Sequence, residues 1–389
     1  MNPGPLNPLL TEAPEYPFTT LARRRDALAP AGVRIINFGI GDPREVTPPF
    51  IRAALAASIP EMSSYPDPLG QRELREAAAG WYRRRFGVGL DPDRELLPAN
   101  GTKEAVFMLP QVVISRAPEA TRRTIVIPSP FYPVYLSGAE FAGADVHFVP
   151  LHSADGWRFN PDHVADEIWR RTALLWITSP HNPTGAMLAP EDFEKLAALA
   201  RRHGFWLASD EAYAEVYFDR RPTSLLQCGL ENGIVFHTLS KRSAMTGFRS
   251  GFMAGDPRLI ETIRLLRPHV GSATPDFIQR AAIAAWNDDA HPVEQRARYA
   301  AKRELFLEYF AKRGWHHEAS EASFYIWWKA PWGTDVSFVE SLLRRGLVAM
   351  PGSFMGRGGE GFLRLALVPT LDDCREAIRR LDTIEGPEA

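Results

Sequence analysis

Residues 173–213 read ALLWITSPHNPTGAMLAPEDFEKLAALARRHGFWLASDEAY and contain a strand, a helix and a second strand in succession. The apolar runs Ala173–Thr178 and Phe205–Ser209 predict two short buried strands. Between them, Glu191–His203 has the pattern of an amphipathic helix that a proline opens and a glycine closes. Short apolar strands separated by a helix are typical of a parallel α/β sheet.

The same alternation continues on both sides of this stretch. Further strands are predicted at Thr124–Pro128, Asp145–Pro150, Ile234–Thr238 and Gly251–Ala254, and a helix at Gln71–Phe86 that Gly87 stops. Short strands separated by helical stretches indicate a three-layer α/β/α fold with a mostly parallel sheet and helices on both faces.

The order of elements changes beyond about residue 275. Long helices such as Val293–Arg313 follow, with strands predicted at Phe324–Trp328 and Phe362–Val368 and a loop at 352–361. We therefore expect a large domain at 31–275 and a second, smaller α+β domain at 276–389. Residues 31–45 are a candidate for packing with the smaller domain.

Residues 1–30 are expected to form an N-terminal arm. They contain Pro3, Pro5, Pro8, Pro14, Pro17 and Pro30, too many prolines for a helix. Two interpretations stay open for this arm: a flexible tail, or an extended segment laid on a partner subunit.

The composition of the 389 residues, with 45% apolar and 24% charged types, is that of an ordinary globular protein. The formal net charge of −2 gives no electrostatic reason to expect nucleic acid or an anionic membrane as a partner. The only cysteines, Cys228 and Cys374, lie far apart, which argues against a disulfide scaffold or a cysteine zinc site and fits a reducing compartment. Adjacent His316 and His317 do not predict a metal site. We therefore expect a cytoplasmic protein without a signal peptide, membrane span or metal.

Polar side chains follow three of the predicted strands. Asn182 lies in the SPHNPTG stretch after the first strand, Asp210 and Tyr213 follow the second, and Lys241 comes shortly after Ile234–Thr238. Ligands of an open α/β sheet bind beyond the carboxyl ends of its strands. An amide, a carboxylate, a phenol and a lysine at one edge of the sheet therefore predict a site.

The motifs that surround these side chains resemble a known family. NFGIGDP at 37–43, SPHNPTG at 179–185, SDEAY at 209–213 and SKRSAMTGFRSG at 240–251 together look like fold-type I aminotransferases, the aspartate aminotransferase superfamily. The resemblance covers about residues 37–368, with the motifs in the family's order. It implies a pyridoxal 5′-phosphate enzyme that moves an amino group between an amino acid and a 2-oxo acid.

The resemblance implies roles for Lys241, Asp210, Tyr213 and Asn182. Lys241 would bind the cofactor covalently and then move a proton at the substrate Cα, which requires an amine of lowered pKa. Asp210 would keep the pyridine nitrogen protonated. Tyr213 and Asn182 would hydrogen-bond the ring oxygen of the cofactor.

The phosphate of the cofactor is expected at a helix N-terminus, whose free N–H groups bind anions. The family pattern assigns it to Gly101, Thr102 and Lys103, with Thr238, Ser240 and Arg249 completing the site. Tyr132 would stack on the pyridine ring, and Phe131 is the alternative.

Substrate and subunit contacts are also implied. Arg364, an arginine within an apolar strand, would bind the substrate α-carboxylate through two parallel hydrogen bonds. Gly41 and Asn182 would line the substrate site as well. Tyr65 begins a stretch that in the family reaches the phosphate of the neighbouring subunit, so a homodimer with shared active sites is expected.

The substrate prediction comes from the segment around Lys241, which looks most similar to N-succinyl-LL-2,6-diaminopimelate aminotransferases of lysine biosynthesis. Those enzymes pair that substrate with glutamate and 2-oxoglutarate. LL-diaminopimelate, aspartate, alanine and aromatic amino acids stay open as alternative substrates, and a pyridoxal-phosphate-dependent C–S β-lyase as an alternative activity. Arg242 does not decide between them, because an arginine there could simply face solvent.

Overall fold

The computed structural model describes residues 4, 6–12, 15–117, 119–271, 273–384 and 386. Residues 1–3, 5, 13 and 14 of the predicted arm, and residues 385 and 387–389 of the predicted smaller domain, lie outside this part of the chain.

The strands in the described residues are β1 (Ile36–Asn37), β2 (Leu96–Ala99), β3 (Thr124–Ser129), β4 (Asp145–Pro150), β5 (Thr172–Thr178), β6 (Trp206–Asp210), β7 (Gly233–Thr238), β8 (Gly251–Gly255), β9 (His317–Glu318), β10 (Tyr325–Lys329), β11 (Leu347–Val348), β12 (Met350–Pro351) and β13 (Phe362–Ala366). The helices are α1 (Pro8–Thr11), α2 (Pro17–Leu28), α3 (Pro49–Ala57), α4 (Arg72–Phe86), α5 (Thr102–Val113), α6 (Val134–Ala142), α7 (Asp166–Arg171), α8 (Pro190–His203), α9 (Leu239–Arg242), α10 (Pro257–Val270), α11 (Asp276–Asn287), α12 (His291–Arg313), α13 (Asp335–Leu343) and α14 (Leu371–Leu381).

A seven-stranded sheet organises the larger part of the molecule, in the order β2-β8-β7-β6-β5-β3-β4. All neighbouring pairs from β4 to β7 are parallel, whereas β8 runs antiparallel to both β7 and β2. The predicted mostly parallel α/β sheet is therefore confirmed. Strand β2 was not predicted; its sequence LLPA contains Pro98, which is tolerated because β2 lies at the edge of the sheet.

Both faces of this sheet are covered by helices. In β5, Leu175 and Ile177 join a core shared with α4, α8 and α11, while Leu174 and Trp176 join a core shared with α5, α6 and α10. All four side chains are buried because successive residues of a strand point to opposite faces. The three-layer prediction is confirmed by this arrangement.

A second, antiparallel sheet has the order β12-β13-β10-β9 and packs with α12, α13 and α14. The short strand β1 pairs in parallel with β11, through Ile36 opposite Leu347, so residues 36–37 lie beside this smaller core. Helix α11 instead packs against α3 and α4. The domain boundaries given above stay a prediction.

Helix α2 corrects the expectation that residues 1–30 hold too many prolines for a helix. Pro17 is the first residue of α2, a position where the missing N–H would have no helical partner anyway. The next proline along the chain, Pro30, lies beyond its end. Leu21 of α2 is buried in the smaller core.

No helix in the described part of the chain is long and apolar enough to cross a lipid bilayer.

Candidate active site

A cavity of about 370 Å³ lies where the parallel strands of the large sheet end. Asp210 is the last residue of β6 and Thr238 the last of β7, and both line it. The other predicted site residues that line it are Gly41, Thr102, Lys103, Tyr132, Asn182, Tyr213, Ser240, Lys241, Arg249 and Arg364. Of the predicted set, Gly101 borders the cavity through Arg249, and Tyr65 lies outside it.

Lys241 enters the cavity from α9, the single helical turn that follows β7. The side chain of Thr238 caps this turn by accepting a hydrogen bond from the Ser240 N–H at 3.1 Å. The Lys241 Nζ donates to the backbone carbonyl of Gly41. Burial lowers the pKa of the Lys241 amine to about 8, while the nearby Asp42 carboxylate opposes that shift. A neutral, nucleophilic amine is therefore available near physiological pH.

Asp210 is a buried carboxylate without a protein cation. Its Oδ2 accepts from the Tyr135 hydroxyl at 2.9 Å, and its Oδ1 accepts from the Ala212 N–H at 3.1 Å. Within the described residues, no lysine or arginine forms an ion pair with it. Burial raises the pKa of Asp210. A cationic group from a ligand, such as a protonated pyridine nitrogen, would therefore stabilise this carboxylate.

Tyr213 and Tyr325 join their hydroxyl groups at 2.7 Å. Both side chains are buried and both line the cavity, and burial raises the pKa of Tyr213. Tyr325 also explains the glycine at position 41, because a Cβ there would lie 2.3 Å from the Tyr325 Oη. The phenol of Tyr213 is thus held in place before any ligand binds.

Arg364 lies in β13 and is only 1% exposed. Its Nη1 donates to the Asn182 Oδ1 at 2.9 Å and its Nη2 to the Gly39 carbonyl at 2.6 Å, and its guanidinium lies 4.5 Å from the centre of the Tyr325 ring. Among the described residues no carboxylate pairs with it. An unpaired buried guanidinium is costly, so this arrangement suits a ligand carboxylate.

The start of α5 forms a second polar corner of the cavity. Gly101 has φ +70°, and a Cβ there would lie 2.3 Å from the Arg249 Nη2, so the guanidinium rests against the glycine backbone. Among the described residues, Arg249 donates only to the carbonyls of Thr246, at 3.0 Å, and Asn100, at 3.4 Å. The first N–H groups of α5 have no acceptor within the helix. These donors suit a phosphate group.

The structure separates the two candidates for the stacking aromatic. Tyr132 lines the cavity, whereas Phe131 stacks on Phe148 with 5.2 Å between ring centres. Tyr65 is fully exposed, with a relative accessibility of 102%, so it contributes nothing to the cavity of its own chain.

Several lining residues were not predicted from the sequence. Tyr325 lies in the strand predicted at Phe324–Trp328, and strand alternation gives no sign that its hydroxyl reaches Tyr213. Tyr135 does not line the cavity, but its hydroxyl donates to Asp210, a contact that was not predicted either. Tyr16 and Phe18 line the cavity from the start of α2, a helix that the sequence analysis rejected.

The residues that line the cavity fit pyridoxal phosphate. They provide a lysine amine of lowered pKa, a carboxylate without a cationic partner, an aromatic side chain and a helix N-terminus with unpaired N–H groups. No group of three or more histidine, cysteine, aspartate or glutamate side chains in the described part of the chain could hold a metal ion.

Comparison with known proteins agrees with this chemistry. Residues 33–381 match the model of the family described as aminotransferase class I and II. LL-diaminopimelate aminotransferase 2 of Trichormus variabilis is 37% identical over 381 residues, which cover 96% of either chain. LL-diaminopimelate aminotransferase of Syntrophobacter fumaroxidans is 36% identical over 376 residues, 95% of this chain and 96% of that one.

Solved structures give the same result for the fold. An aminotransferase of Neisseria meningitidis superposes with a TM-score of 0.90 at 35% identity, over 97% of this chain and 99% of that one. Aspartate aminotransferase of Thermus thermophilus with maleate superposes with a TM-score of 0.89 at 26% identity, again over 97% and 99%.

Proposed function

Because this chain belongs to the class I and II aminotransferases, and is thus a pyridoxal-phosphate-dependent transaminase, we propose that its amino-group donor is LL-diaminopimelate. The observation that carries this proposal is the name shared by relatives that match over nearly the whole chain. The expected N-succinyl derivative has less support, since none of the relatives reported above carries that name. LL-diaminopimelate was among the alternatives.

The cavity itself supports the proposal that the substrate is an α-amino acid. LL-diaminopimelate and its N-succinyl derivative present the same α-carboxylate, and the unpaired guanidinium of Arg364 suits that group in both. The two substrates differ only at the far end of the molecule. The preference for the unmodified diamino acid therefore depends on the relatives and not on Arg364.

The mechanism assigns one task to each polar residue. Pyridoxal phosphate, when bound, supplies a ring that accepts negative charge from the substrate Cα. Lys241 would hold the cofactor through Nζ and would take the proton from the substrate Cα. Asp210 keeps the ring nitrogen protonated through its carboxylate.

The remaining residues bind and orient. Arg364 binds the α-carboxylate, and Asn182 fixes the plane of that guanidinium through its Oδ1. Tyr213, held by Tyr325, would donate to the ring oxygen of the cofactor. The phosphate would be held by Thr238, Ser240, Arg249 and the Gly101–Lys103 turn, and Tyr132 would stack on the ring.

We also propose a homodimer in which Tyr65 completes the phosphate site of the partner subunit. Its full exposure supports this role, because a tyrosine that serves its own site would be buried in the cavity. A cytosolic location is proposed on the cysteine content alone.

The test is an absorption spectrum of the yellow holoenzyme before and after addition of LL-diaminopimelate without a 2-oxo acid, beside Lys241→Ala. We expect the colour to bleach only in the wild type, and kcat/KM for LL-diaminopimelate to exceed that for aspartate, alanine and tyrosine by about a hundredfold. A higher kcat/KM for the N-succinyl derivative would contradict the substrate proposal. Pyruvate release from cystathionine would instead indicate the β-lyase.

A further inference from the structure

A second cavity, of about 200 Å³, has arginines at five of its eleven lining positions. Five guanidinium groups and two carboxylates face this cavity, and aromatic side chains surround it. The arginines are Arg84, Arg85, Arg221, Arg242 and Arg296, and the carboxylates belong to Glu215 and Asp289. None of these residues lines the cavity that holds Lys241.

Each of the two carboxylates is shared between two arginines. Glu215 binds Arg296 at 2.9 Å and Arg85 at 3.4 Å. Asp289 binds Arg84 at 2.7 Å and Arg242 at 3.2 Å. Every carboxylate therefore balances only half of the positive charge that it contacts.

The fifth arginine adds to this excess. Arg221 is exposed and has no carboxylate partner among the described residues. Asp288 lies outside the lining and adds a negative charge near Arg242, while its carboxylate accepts from the His291 ring at 2.6 Å and from the N–H groups of Ala290 and His291. The groups that line the cavity carry a formal excess of three positive charges.

Arg242 is the buried member of this set and corrects the expectation that it could face solvent. It is 3% exposed, donates to the carbonyls of Ala285 and Asp288 at 2.7 and 2.8 Å, and leaves its Nε without an acceptor in the described part of the chain. Burial lowers the pKa of Arg242 to about 10, so the guanidinium is charged at neutral pH. A buried charge of this kind gains most from an added anion.

The aromatic rings around the cavity hold the guanidinium groups in place. The Arg296 guanidinium lies 4.3 Å and that of Arg85 5.5 Å from the centre of the Tyr217 ring, and Arg242 lies 5.3 Å from Trp286. Planar guanidinium groups that pack on aromatic rings are preorganised for bidentate binding of carboxylate or phosphate oxygens.

From these observations we propose that the cavity is a binding site for a small multivalent oxyanion, of the phosphate or tricarboxylate type. Arg242 directly follows Lys241 in α9, so this one helical turn contributes a residue to each of the two cavities. The proposed site is separate from the phosphate corner at Gly101 and does not depend on the identity of the amino donor.

The experiment is calorimetric titration of the cofactor-loaded enzyme with inorganic phosphate and, separately, with citrate, in chloride buffer at constant ionic strength. The loaded enzyme is used because its cofactor phosphate already fills the corner at α5. The variants are Arg221→Gln and the double variant Arg84→Gln/Arg221→Gln, which change exposed or half-exposed side chains. Arg202→Gln, an exposed arginine on α8, is the matched control.

We expect saturable binding of one anion per subunit in the wild type and in Arg202→Gln, weakened about tenfold by each removed cavity arginine. Tighter binding of phosphate or of citrate identifies which of the two oxyanions the site takes. The proposal is overturned if neither anion binds saturably, or if all variants bind as the wild type does. Amino-transfer activity is not needed for this readout, so the two proposals fail independently.

Discussion

The Lys241 amine gives a pH dependence that can be measured on the cofactor-free protein. Only the neutral amine can attack the aldehyde of pyridoxal phosphate, and burial lowers its pKa to about 8. The rate of cofactor uptake should therefore be low below pH 7, rise through a midpoint near pH 8 and level off above it. Stopped-flow absorbance across pH 6–10 measures this profile, with about 8 as the expected midpoint.

Asp42→Asn provides the matched variant for this profile. The Asp42 carboxylate favours the charged form of Lys241, so its removal should move the midpoint to lower pH. A wild-type midpoint near 10 would show that burial does not control the reactivity of this amine, and an unchanged midpoint in the variant would show that the Asp42 carboxylate does not act on it.

A substitution at Gly41 tests its contact with Tyr325. The Cβ of Gly41→Ala would lie 2.3 Å from the Tyr325 Oη, so we expect the free energy of unfolding to fall by about 1–3 kcal/mol. Gly41→Ala/Tyr325→Phe removes the offending oxygen and should recover part of that loss. Urea denaturation of the two single variants and the double variant measures the coupling. Additive effects of the two changes would contradict the contact.

At the scale of elements, the N-terminus of α5 depends on one glycine. Gly101 has φ +70° and ψ 148°, a backbone conformation that side chains rarely adopt, and it lies against the Arg249 guanidinium. Gly101→Ala should therefore weaken cofactor binding by about tenfold to a hundredfold while leaving the sheet intact. Cofactor titration followed by fluorescence measures the affinity, and circular dichroism checks the fold. Wild-type affinity in the variant would exclude a phosphate role for this turn.

The strands and helices of the large sheet were predictable because their information is local. The apolar run of β5, the proline that opens α8 and the glycine that closes it all lie within the segments that they define. Helix α2 and strand β2 were not predictable in the same way. The prolines of residues 1–30 were taken as excluding a helix although Pro17 stands at a helix start that tolerates it, and the four-residue strand β2 was not considered.

The residues of the candidate site also fall into those that local sequence predicts and those that it does not. Lys241, Asp210 and Asn182 follow strand ends, and the topology of an open parallel sheet brings strand ends together. Tyr325 and Tyr16 reach the cavity from elements packed beside the sheet. Their contribution depends on tertiary packing across more than one element, which no local pattern encodes.

At the scale of the whole molecule, shared active sites predict complementation between two defective subunits. If Tyr65 serves the partner's site, a hybrid of Tyr65→Ala and Lys241→Ala subunits contains one site with both residues intact. Differently tagged subunits, coexpressed and purified as the hybrid, should therefore regain about half of the wild-type activity per dimer. Turnover of the hybrid beside both parent variants measures this recovery.

The parents serve as controls. Lys241→Ala alone should be inactive, and Tyr65→Ala alone should show weaker cofactor binding. A hybrid no more active than the sum of its parents, or full activity in Tyr65→Ala, would show that each subunit completes its own site.

The pairing of β1 with β11 also delays the folding of β1 during translation. Ile36 meets Leu347, which the ribosome adds 311 residues later. At about 5–20 residues per second, the early strand waits roughly 15–60 s for its partner. During that interval the apolar side chains of Ile36 and Phe38, both buried in the finished protein, have no core to enter. We therefore expect nascent chains of this protein to need chaperone protection until translation is nearly complete.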